Sequence, residues 1–107
     1  MEIFETPIFT KQIVAYLSDE KYRELQWTLI ENPLAGNLIP GCYGIRKLRW
    51  SVGGSGKRGG LRVIYYFLTS EEKICLLFAY KKSVQQDLSK VQLKALSDYV
   101  KENVYEG

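Results

Sequence analysis

The chain has 107 residues, of which 46% are hydrophobic and 13% aromatic, a composition that excludes a disordered tail and allows one domain over 1–107 with a buried core. Its net charge of +3 hides a strong asymmetry. Between Asn32 and Ser70 there is no acid but six bases, while the remainder of the chain carries nine bases and twelve acids. Histidine is absent, which removes the commonest general acid–base group and the commonest metal ligand. Cys42 and Cys75 have no metal-type spacing and are too few for a disulfide framework, so both read as reduced thiols of a cytoplasmic protein. The N-terminus does not resemble a signal peptide. The longest apolar run, Ile74 to Tyr80, is too short to span a bilayer.

In chain order, Glu2 to Glu5 alternates around Ile3 and predicts a short strand. A first helix follows from a cap at Thr6 or Thr10 to about Leu17. Ser18 caps a second helix, in which Asp19 and Glu20 complement the positive end of the dipole and Leu17 and Tyr22 take the staple positions. Pro33 stops it, and the two helices read as a hairpin. Asn32 to Gly44 is a turn-rich connection. The next strand, Gly44 to Val52, places Ile45, Lys47 and Arg49 on one face and Arg46, Leu48, Trp50 and Val52 on the other. Gly53 to Gly60 is a glycine-rich basic loop. Arg62 to Leu68 is a β-branched and aromatic strand, Thr69 to Lys73 a turn, and Ile74 to Tyr80 a central strand covered on both faces. Ser89 and Gln92 match a capping box that opens a last helix with the stripe Leu93, Leu96, Val100 and Val104. The expected architecture is α+β, in the order β-α-α-β-β-β-α. Three strands joined in succession predict an antiparallel meander sheet, packed by helices on one face.

Six like charges without local counter-ions point to a polyanion, most simply nucleic-acid phosphate. If the two basic strands pair, Lys47, Arg49 and Arg62 converge. Lys57 and Arg58 then reach over them from the loop, and Lys81 and Lys82 close the far side. Tyr80, Tyr65 and Tyr66 supply rings for base stacking, although the opposite orientations of Tyr65 and Tyr66 commit at least one to the core. Such a site binds RNA or DNA, and it also contains what metal-free RNA cleavage needs. Arginine stabilises the phosphorane, a lysine crowded by other cations gives up its proton more readily, and a tyrosine or second lysine protonates the leaving oxygen. Taken alone, a basic strand–loop–strand is more often a binding face than a catalytic one. The run Gly53-Gly-Ser-Gly56 is not a P-loop, because no helix follows it. Asp87 reads as local to the start of the last helix.

The segments Gly44-Ile-Arg-Lys-Leu-Arg49, Gly56-Lys-Arg-Gly-Gly-Leu-Arg-Val-Ile-Tyr-Tyr-Phe67, Leu76-Leu-Phe-Ala-Tyr-Lys-Lys82 and Asp87-Leu-Ser89 resemble RelE-superfamily toxins of type II toxin–antitoxin systems, nearest the HigB-like branch. The first 43 residues match in element order only. The resemblance implies a small RelE-like domain and a ribosome-dependent mRNA endoribonuclease (mRNA interferase) that acts in the ribosomal A site without a metal or other cofactor. It implies catalytic roles for Lys47, Arg49, Arg62 and Lys82, and RNA or ribosome contacts for Arg46, Lys57, Arg58, Tyr80 and Lys81. The implied partners are the ribosome, mRNA and a HigA-like helix-turn-helix antitoxin, with no membrane and with DNA reached only through the antitoxin. Two other readings are a non-catalytic RNA- or ribosome-binding module and a ParE-like gyrase-inhibiting toxin; the six bases speak against the second.

Overall fold

A short edge strand and the helix behind it explain how this sequence closes its sheet. The computed structural model describes residues 1–51 and 60–105. Strand β1 (Glu2–Glu5) leads into helix α1 (Pro7–Tyr16) through Thr6, whose hydroxyl accepts the Phe9 N–H while Pro7 takes a position that needs no N–H partner. Helix α2 (Asp19–Glu31) follows directly, capped by Ser18, whose side chain accepts the Lys21 N–H. The Tyr22 hydroxyl donates to the Glu5 carboxylate. Burial, together with that carboxylate, pushes the phenol well above its ordinary range.

The remaining elements are β2 (Asn37–Leu38), β3 (Arg46–Trp50), β4 (Leu61–Leu68), β5 (Lys73–Lys81) and α3 (Lys90–Asn103). They form one five-stranded sheet in the order β1-β5-β4-β3-β2. The chain is therefore a small α+β protein, with three corrections to the sequence reading. The sheet is mixed, because β1 pairs with β5 in parallel. A two-residue strand, β2, borders β3 within what the sequence marks only as turns. The helices cover both faces. From α1 and α2, Phe9, Ile13, Leu25 and Leu29 bury against Leu61, Val63, Tyr65, Ile74 and Leu76. From α3, Val100 packs with Leu93 and Leu96 on the opposite face, against Ile64, Tyr66, Cys75 and Leu77. Strands apolar on both faces require this second cover. Among the described residues, no helix is long and apolar enough to cross a membrane.

The β4–β5 ladder is irregular. Ile64 pairs with Phe78 and Tyr65 with Leu76, leaving Leu77 as an extra residue. Because β1 pairs with β5 only as far as Leu76, the outer edge of β5 beyond it needs other partners. Helix α1 supplies them: the Thr6 hydroxyl donates to the Leu77 carbonyl at 2.8 Å, and the Gln12 side-chain carbonyl accepts the Ala79 N–H at 2.7 Å. Both cysteines are buried and unpaired, and burial pushes the Cys75 thiol up to about 12.

The Asn32–Gly44 connection is fastened by one buried hydroxyl. Tyr65 Oη donates to the Pro33 carbonyl and accepts the Gly36 N–H, each at 2.8 Å. Gly36 is obligatory here, since a Cβ would lie 2.8 Å from the Tyr65 ring and 3.0 Å from the Lys47 carbonyl. Replacing Tyr65 by Phe leaves both backbone groups without their partner. The expected loss is about 1–3 kcal/mol of stability, read as a lower urea midpoint at unchanged slope.

Candidate functional site

Strand alternation and register, acting together, build the site on the α3 face. On β3, Lys47 and Arg49 share a face with Ile45, which is buried beneath α3. Across the sheet, Arg49 lies directly opposite Arg62, and Arg62 directly opposite Tyr80. Lys47 lies opposite Asn37 of β2. Just beyond β5, the Lys82 N–H bonds the Gly60 carbonyl at 3.1 Å, which brings its side chain alongside. The result is a cleft of about 350 Å³ lined by Lys47, Arg49, Arg62 and Lys82, with Asn37, Gln86 and Asp87 completing the wall. The four residues expected to be catalytic thus meet at one place.

Arg62 is the unusual member. It is 6% exposed, yet among the described residues no carboxylate pairs with it. A buried guanidinium pays a desolvation cost that a counter-ion normally offsets, and here it sits opposite a second arginine. Arg49 and Lys82 also have no carboxylate partner among the described residues. Among the described residues, the one ion pair in the cleft joins Lys47 Nζ to Asp87 Oδ1 at 3.4 Å.

Asp87 comes from the connector between β5 and α3. Its Oδ1 also accepts the Leu88 N–H at 2.8 Å, and that bond, which outweighs the opposing effect of burial, holds the carboxyl below its ordinary value with further help from the Lys47 charge and hydrogen bond. The connector is fixed from both ends. Gln85 donates to the Asp87 carbonyl and also to the Gln92 side chain, and Gln92 accepts the Ser89 N–H in the capping box. The helix-start role expected of Asp87 is therefore real, and the cleft role is additional. No local pattern signals it, because Lys47 and Asp87 are 40 positions apart.

The proposed contact residues scatter. Arg46 points away from the cleft, and its guanidinium donates to the Gly36 carbonyl at 2.7 Å and the Leu34 carbonyl at 3.4 Å, fastening the β2 connection. Lys81 lies over the Tyr16 ring at 5.7 Å, against α1. Lys57 and Arg58 lie outside the described residues. Tyr65, Tyr66 and Tyr80 are all buried, so none presents a ring for stacking. Tyr80 Oη is the one buried side-chain polar atom among the described residues without a hydrogen bond. Burial raises its pKa, the Asp87 charge raises it further, and the Arg62 charge opposes both. Asp87 acts on it by its charge and, more weakly, as a nearby acceptor, although no hydrogen bond of full geometry closes between them.

A second cleft, of about 580 Å³, runs between the start of α1 and α3 and is lined by Ile8, Phe78, Leu96 and Tyr99 among others. It is larger, but its lining carries no charged side chain, so the charged groups gather in the basic cleft.

Tyr80→Phe removes only the unbonded hydroxyl. It is expected to leave stability unchanged or to raise it by about 1 kcal/mol in urea denaturation; a fall of that size means the hydroxyl has a partner. No protein-family model matches this chain.

Proposed function

We propose that the chain is an mRNA-cleaving toxin of a type II toxin–antitoxin pair, HigB-like within the RelE superfamily. The observation that supports this most is the convergence of Lys47, Arg49, Arg62 and Lys82 on one cleft, with Arg62 buried and free of any described carboxylate. That arrangement suits a pentacoordinate phosphate, whose charge grows as the 2′-oxygen attacks. Arg62 and Arg49 are the donors to the phosphorane oxygens, preorganised by the sheet. Lys47 and Lys82 are the residues placed to handle the protons of the 2′-hydroxyl and the departing 5′-oxygen. The ribosomal A site supplies the message, and a HigA-like helix-turn-helix antitoxin neutralises the protein and carries any contact with DNA.

Arg62→Ala is expected to abolish growth arrest and to lower mRNA cleavage by roughly 10²–10³-fold, the scale seen when one oxyanion donor is removed. Lys82→Ala, at a less buried position, guards against misfolding of the first variant. Primer extension after a brief pulse of expression is expected to show new 5′ ends in codon register for the wild type and neither variant. Translation arrest without new ends would mean a non-catalytic ribosome-binding module. DNA damage without them would mean a gyrase poison.

A further inference from the structure

Among the described residues, Asp87 is the one carboxylate in a cleft otherwise lined by cations and amides. A carboxylate offers the same anionic oxygens that a phosphate does, and this one is placed against Lys47. Its anchoring is unequal. The bond to the Leu88 N–H is short, at 2.8 Å, whereas the contact with Lys47 is 3.4 Å, longer than a tight charge-assisted bond, and the Asp87 side chain is 72% exposed. It is therefore tethered at the start of α3 but only loosely held by the lysine. Being part of the chain, it faces Lys47 at an effective concentration that a free anion must overcome.

We propose that Asp87 is a built-in competitor of substrate phosphate, which must displace its carboxylate from Lys47 to bind. This rests on the reading of the cleft as an RNA-phosphate site. The device penalises weakly held anions, since a ligand touching Lys47 alone gains little by replacing one anion with another. RNA that also engages Arg49, Arg62 and Lys82 offsets the exchange. The carboxylate thereby raises discrimination at the expense of affinity.

The test is Asp87→Asn in the full chain. The amide oxygen still accepts the Leu88 N–H, so the helix start is kept while the charge is lost. Binding is read by fluorescence anisotropy of a single-stranded RNA made uncleavable by 2′-O-methyl groups. At low salt the variant is expected to bind roughly two- to fivefold more tightly than wild type, the scale of one exposed ion pair. The gain shrinks as salt rises, and the plot of log affinity against log salt steepens by up to about 0.7, one further phosphate contact. Competition at Lys47 further requires that Asp87→Asn gain little in a Lys47→Met background. Asp98→Asn, which removes an exposed carboxylate paired with Lys94 elsewhere on α3, is expected to change nothing. Unchanged or weaker binding by Asp87→Asn overturns the proposal, as does an equal gain with Lys47 absent. If neither wild type nor Asp87→Asn binds the RNA at low salt, the reading of the cleft as a phosphate site falls as well.

Discussion

The extra residue at Leu77 is the constraint on which the rest of the structure turns. A regular β5 would continue the alternation that puts Cys75 and Leu77 toward α3 and would send Tyr80 to the other face. The bulge resets that parity, so that Phe78 and Tyr80 also face α3. Beside it, β1 stops pairing with β5 at Leu76, and Thr6 and Gln12 take up the edge groups beyond that point. One inserted residue thus sets the floor of the cleft beneath α3.

The electrostatics of the cleft work against the fold. Arg62 and Arg49 face each other across neighbouring strands, and Arg62 is desolvated without a described counter-ion. A protein selected only for stability has no use for this pair, because a hydrophobic residue at position 62 would continue β4 into the core beside Ile64 and Tyr66. The unbonded hydroxyl of Tyr80 adds a second local cost at the same place. Among the described residues these unfavourable groups collect at one spot, the pattern expected where packing has given way to a site.

What the sequence reveals depends on how far apart the interacting residues lie. The start of α3 is legible because a capping box is local to four residues, Ser89 to Gln92. The shared face of Lys47 and Arg49 follows from alternation alone, and their meeting with Arg62 from an ordinary hairpin. The fate of Arg46 is not legible, since its carbonyl partners belong to an irregular connection whose path Tyr65 and Gly36 decide. The burial of Tyr80 is hidden by the bulge, which no composition rule marks. Asp87 reads as a helix-start residue and is one; its second role needs the tertiary fold. The parallel partner of β1 is likewise invisible, because four residues carry too little pattern to choose an edge.

The β1 pairing has a consequence for the order of assembly. Thr6 and Leu77 are 71 positions apart in the chain, whereas β3, β4 and β5 follow one another as neighbours. Closing the larger loop costs more entropy than forming the neighbouring hairpins, which favours docking of the amino-terminal segment onto strands already paired. Until it docks, β5 presents a bare edge beside the basic strands. For a chain synthesised from the amino terminus, a segment made before the central strands therefore docks after them.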